Sequence, residues 1–168
     1  KISESVTSIG YRAFKGCNSL SEVIMPDNLT TIARDAFKEC TNLANVILSK
    51  SVRIIRASAF ESCKALTEIE IPKSLEEGEA AGGPIGPFAY CSNLKTVKFE
   101  DGMRTIPEDL FASCTGLEKI QIPETVVSIN ESAFENCSNL KEVKISESVT
   151  SIGYRAFKGC NSLSEVIM

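Results

Sequence analysis

Seven cysteines are the most reactive side chains in this sequence, and their spacing is regular. They are Cys17, Cys40, Cys63, Cys91, Cys114, Cys137 and Cys160, separated by 23, 23, 28, 23, 23 and 23 residues. Thiols at such intervals admit three chemistries. Zinc ligation calls for closely spaced thiolate or imidazole pairs, and the chain has no C-x-x-C pair and no histidine. Disulfides are open on distance, because equivalent atoms of stacked turns lie about 5 Å apart. Equivalent side chains of a ladder point the same way, however, and the count is odd. The third reading is a column of buried apolar thiols, free cysteine being among the most buried residue types. The spacing favours this third reading, and the cysteine count then says little about redox compartment.

The missing histidine also removes a Ser-His-Asp triad and a Cys-His dyad. Nothing in the spacing groups the 22 carboxylates, and without histidine no nucleophile has a partner. The expectation is therefore a protein that is not an enzyme and needs no cofactor or metal. The net charge of −4 argues against a nucleic-acid surface, which calls for a basic face. No run of 18 apolar residues is present to span a membrane, and no basic-then-apolar leader is visible. The first residue is Lys1, which reads as a piece of a longer chain.

Regular cysteines need regular elements to position them. A phenylalanine stands three residues before each cysteine, from Phe14 to Phe157. A leucine stands three residues after each, from Leu20 to Leu163, and a β-branched residue follows after three more, from Val23 to Val166. A fixed period of this length signals a solenoid whose turns bury their apolar faces on one another. The spacing of three at Phe14, Cys17 and Leu20 predicts a short helical or 3₁₀ turn. The spacing of two at Val23 and Met25 predicts a strand with both side chains inward. Val6 and Ile9 then predict an extended return. The whole chain, residues 1–168, reads as one domain of about seven such turns.

The segment L-x-x-V-x-I resembles the strand of leucine-rich repeats. The tails SVTSIGYRAFKGC (5–17) and TVVSINESAFENC (125–137) resemble the BspA-type, or Treponema-type, subfamily. The resemblance implies an α/β leucine-rich-repeat solenoid, a right-handed superhelix with a parallel sheet on its concave face and short helical or 3₁₀ turns opposite. It also implies an extracellular or cell-surface location. The partners it implies are proteins, namely host matrix or plasma proteins or another cell.

Alternation along each strand predicts which side chains leave the sheet: Glu22 and Ile24, and their equivalents in every turn. Glu68, Glu70, Lys95, Lys98, Lys119, Gln121, Lys141 and Lys144 crowd the middle and later strands. They are the candidate protein-binding face, a charged groove; the plainer reading is a solvated sheet face that serves a rigid spacer. Tryptophan is absent and tyrosine scarce, so a compact site for a small partner is not advertised.

The spacing of 28 marks an insertion at residues 76–87, EEGEAAGGPIGP, read as an irregular acidic loop that leaves the stack intact. Insertions in repeats often line a binding face, and surface loops are also cheaply tolerated. Residues 1–25 recur letter for letter at 144–168, exposed positions included. Stacking does not demand identical surfaces, so the expectation is a recent duplication in a parent that repeats a 143-residue block. Neither end reads as a polar cap. Val6, Ile9, Leu163 and Val166 are expected to be bare, and copies to associate end to end.

Overall fold

A computed structural model describes residues 2–79 and 85–168. They wind into a parallel-strand solenoid of about seven turns. Each turn supplies two short strands. The first series is β2 (Glu22–Ile24), β4 (Asn45–Ile47), β6 (Glu68–Ile71), β8 (Thr96–Phe99), β10 (Lys119–Gln121), β12 (Glu142–Lys144) and β14 (Glu165–Ile167). The second is β1 (Ser8–Ile9), β3 (Thr31–Ile32), β5 (Ile54–Arg56), β7 (Glu77–Glu79), β9 (Thr105–Ile106), β11 (Ser128–Ile129) and β13 (Ser151–Ile152). Register advances by one repeat: Val23 lies opposite Val46, and Ile9 opposite Ile32. The expected extended returns thus form hydrogen-bonded ladders of their own, β1–β3–β5–β7 and β9–β11–β13, because two residues per turn suffice when neighbours present the same backbone.

The turn between the two series corrects one expectation. No helix or 3₁₀ helix occurs there among the described residues. The spacing of three does reflect i→i+3 bonds, such as Cys40 N–H to Phe37 O at 3.1 Å. The residues two before and two after the phenylalanine, however, adopt left-handed φ in every turn but for Gly86 before Phe88, as at Asp35 (58°) and Glu39 (62°). A side chain there costs on the order of 1 kcal/mol and breaks any continuous helix. The offset is a third ladder: Asp35, Phe37 and Glu39 N–H donate to Ala57, Ala59 and Glu61 O of the next turn at 3.2, 2.7 and 2.8 Å. Alternating handedness turns every second N–H along the solenoid axis toward the next turn, whereas a helix would point it along its own axis to its own carbonyls.

Phenylalanines fill the core as one stack. Phe14, Phe37, Phe60 and Phe88 lie 5.0–5.2 Å apart between centroids, tilted by 4–7°. Beside them runs the thiol column. Six cysteines are buried, and Cys17 is exposed. Each buried sulfur donates to the phenylalanine carbonyl of the preceding turn, as in Cys114 Sγ to Phe88 O at 3.0 Å and Cys160 Sγ to Phe134 O at 3.2 Å. Burial pushes the Cys91 thiol up to about 12 and that of Cys160 to about 11, so the protonated donor is the stable form.

The segment at 76–87 departs from its reading as an irregular loop. Glu77–Glu79 is a strand paired with Ile54–Arg56, and Gly86 and Pro87 carbonyls accept from Ser58 and Phe60 N–H. Both flanks belong to the stack; residues 80–84 lie outside the described residues. Gly86 is required where it stands, since a Cβ there would fall 1.6 Å from Asp109 O. Among the described residues, no helix is long and apolar enough to cross a membrane.

Candidate protein-binding face

The first strand series presents its outward side chains as the alternation requires. Val46, Ile69, Ile120 and Val143 are buried, whereas Asn45, Ile47, Glu68, Glu70, Thr96, Lys98, Lys119, Gln121 and Lys144 are exposed. Lys95 and Lys141, each one residue ahead of a strand, are exposed beside them. All eight candidate residues therefore reach solvent on or beside one strip of sheet.

Most of their charges are answered on that strip. Lys98 Nζ lies 3.5 Å from Glu68, Lys119 Nζ 2.6 Å from Glu142, and Lys141 Nζ 3.0 Å from Glu118. Each pair joins adjacent turns. Hydrogen bonding to Lys141 holds the Glu118 carboxyl below its usual range, and hydrogen bonding to Glu142 raises Lys119. Such exposed pairs are weak, because water and salt screen them. Lys95, Lys144 and Glu70 carry no ion pair among the described residues.

The strip is not continuous. Its hydrogen-bonded groups are β2–β4, β6–β8 and β10–β12–β14. A depression lies over each interruption. The first, about 600 Å³, sits over β4 and β6 and is walled by Ile47, Lys50, Glu68, Glu70, Lys98 and Glu100. Its carboxylates outnumber its lysines by one. The second, about 430 Å³, sits over β8 and β10 and is walled by Lys95, Lys119, Lys144, Glu118, Glu142 and Gln121. Its lysines outnumber its carboxylates by one. The second interruption has a visible companion in the core. Phe99 occupies a rung filled by aliphatic side chains in other turns, and its ring meets Phe111 edge-on at 6.2 Å. The phenylalanine stack loosens there: Phe111 stands 5.5 and 5.8 Å from its neighbours, tilted by 21° and 15°.

The structure thus divides the eight candidates between two places. Glu68, Glu70 and Lys98 border the first depression; Lys95, Lys119, Gln121 and Lys144 border the second, with Lys141 at its margin through Glu118. Sequence reading missed Lys50 and Glu100. They sit on the corners after β4 and β8, beyond the strand positions that alternation tracks, and no periodic signal marks them.

This architecture matches known proteins. A leucine rich cell surface protein from Faecalibacterium prausnitzii superposes with a TM-score of 0.63 at 27% identity, over 98% of this chain and 52% of that one. The leucine rich repeat protein of T. pallidum gives a TM-score of 0.66 at 29% identity, over 95% and 72%. The pneumococcal vaccine antigen PcpA shares the fold, with a TM-score of 0.54 at 18% identity over 97% and 56%. The chain therefore spans about half the length of the Faecalibacterium protein. No curated protein matches it. The family model for BspA type leucine rich repeat regions matches residues 1–80 and 85–168 in six copies. With the phenylalanine, cysteine and leucine rungs in place through all turns, this chain belongs to the BspA-type leucine-rich repeat family.

Proposed function

We propose that this chain is a non-catalytic, adhesin-like module that docks proteins on the first-series sheet face. Its setting is the cell surface, and its partners are host matrix or plasma proteins. The observation that carries the reading is the pair of depressions at the interruptions of the sheet, bordered by charges the protein leaves unpaired. A rigid stack presents them without ordering cost, which favours binding of an extended partner. The surface location draws support from the Faecalibacterium relative, a cell surface protein. The non-catalytic reading draws support from six of the seven thiols, which are buried and donate to backbone carbonyls; Cys17 alone is exposed.

The test is binding to immobilised fibronectin and fibrinogen beside Lys95→Glu/Lys144→Glu. These two lysines hold no intramolecular pair, so the variant keeps the fold. Saturable binding that the variant loses supports the adhesin reading. Absence of binding by either form overturns it for these ligands and favours the rigid spacer, which the cross-turn pairs of Lys98, Lys119 and Lys141 also fit. Of the rungs expected bare, Val166 is 50% exposed and supports end-to-end association, whereas Val6 and Leu163 are half-buried. Ile9, expected bare, is covered at 4%. Monomer alone by light scattering at high concentration would refute that association.

A further inference from the structure

The two depressions differ in charge and lie a fixed distance apart. The first is lined by turns two to four, the second by turns four to six. Their centres are thus two turns apart, about 10 Å at the strand spacing of a sheet. An extended peptide advances about 3.3 Å per residue, so residues i and i+3 cover the same span.

Each depression also states what it lacks. In the first, Lys50 at the corner after β4 and Glu70 on β6 both lack an ion pair among the described residues, and Glu70 is the one beside the exposed apolar surface of Ile47, which is 47% exposed. An aliphatic stem ending in a cation satisfies both at once, the stem on Ile47 and the head on Glu70. In the second, Lys95 and Lys144 are unpaired ammonium groups flanking Gln121, whose amide is a further donor. A carboxylate is the complement there. Lys119 is held by Glu142 at 2.6 Å and is not available without breaking that pair.

We infer that this face reads an extended protein segment that crosses the strands and carries a lysine or arginine three positions from an aspartate or glutamate. The cation seats on Glu70 and Ile47, and the carboxylate on Lys95 and Lys144. This rests on the protein-docking reading above and adds the chemistry of the recognised segment. Charge complementarity of opposite sign at two points fixes register and direction, which one charged patch would not.

The experiment is fluorescence anisotropy with labelled Ser/Thr-rich peptides on the whole 168-residue chain. Four peptides each carry one arginine and one glutamate: arginine three before glutamate, glutamate three before arginine, and the same pair one or six positions apart. One of the two three-spaced peptides is expected to bind about tenfold more tightly than both controls. Glu70→Lys and Lys95→Glu/Lys144→Glu should each abolish the preference for that spacing. Glu22→Lys, on the same strip but outside both depressions, should leave it unchanged. Affinity indifferent to spacing, or unaltered by the Glu70 and Lys95/Lys144 substitutions, overturns the inference, as does failure of both three-spaced peptides to bind. If fibronectin or fibrinogen still binds in that last case and Lys95→Glu/Lys144→Glu loses that binding, docking on the sheet stands and only this recognition rule falls.

Discussion

Residues 2–25 and 145–168 carry the same letters as each other's counterparts in the repeated word, and the fold treats them oppositely. Cys17 is exposed, whereas Cys160 is buried under the sixth turn. Ile9, Val23 and Met25 are 4%, 6% and 4% exposed; Ile152, Val166 and Met168 are 49%, 50% and 80% exposed. A Cβ on Gly10 would meet nothing within 4 Å, while one on Gly153 would fall 2.6 Å from Asn130 C. In the first copy the strands are covered by the following turn, and the cysteine side lacks a preceding one. In the second copy the reverse holds. The lesson is that a turn of this solenoid buries almost nothing by itself. Its stability is a property of the interface with each neighbour, as expected of a one-dimensional stack.

Breaking the comparison at its strongest point means cutting the interior stack. Phe111 is fully buried between Phe88 and Phe134. Phe111→Ala should cost about 3–5 kcal/mol in chemical denaturation. Phe14 stacks on Phe37 alone and is only partly buried, so Phe14→Ala should cost roughly half as much. Equal costs would show that burial within the turn, not stacking, sets the energy.

The thiols sharpen the contrast chemically. Under native conditions Cys17 should react with an aromatic disulfide reagent about a hundredfold faster than Cys160, whose sulfur reacts only after the turn opens. Mass spectrometry of partly modified protein reads this directly. Comparable rates at both positions would mean that the last turn is already open in solution.

The glycines give a smaller, cleaner test. Gly153→Ala must push into the Asn130–Glu131 backbone and should cost about 1–3 kcal/mol. Gly10→Ala, in the same local sequence, enters open space and should be neutral or raise stability by about 0.5 kcal/mol. A shared effect in thermal melts would point to backbone preference and away from packing.

The smallest effect concerns one carboxylate on the turn edge. Asp35 receives Arg12 Nε at 3.0 Å, but its equivalent Asp109 is buried near Glu108, Glu131 and Glu135. Burial first, and those carboxylates second, raise Asp109 to about 6. The folded state thus holds this proton more tightly than the unfolded state. Its contribution to stability is full below pH 4 and is lost as pH rises from about 4 to 6. Asp109→Asn should remove that dependence and raise the Tm at pH 7 by about 2–4 °C. An unchanged difference between the two proteins from pH 4 to 7 would contradict the assignment.

Much of the stack was legible in the letters. Phe, Cys and Leu at steps of three, and Val then Met at a step of two, identify the rungs and the side chains that leave the sheet. The turn conformation was not legible, because i→i+3 bonds at this spacing serve helices and alternating-handed turns alike. The strand Glu77–Glu79 was hidden by its glycine and its acidic residues, which speak against a strand in isolation. A neighbour with a matching edge, Ile54–Arg56, overrides that preference. On the candidate face, composition located the charges, while the pairing of Lys98, Lys119 and Lys141 and the freedom of Lys95 and Lys144 depended on cross-turn distances.

What the sequence by itself determined is the repeat: its period, its inward rungs, and membership of a solenoid class, since these follow from side-chain periodicity along one chain. What only the tertiary structure decided is where the stack is interrupted, which charges remain unanswered, and how two identical segments come to differ. Those depend on what each turn meets across the 4.8 Å or so that separate neighbouring strands, and no segment of a solenoid encodes its neighbour.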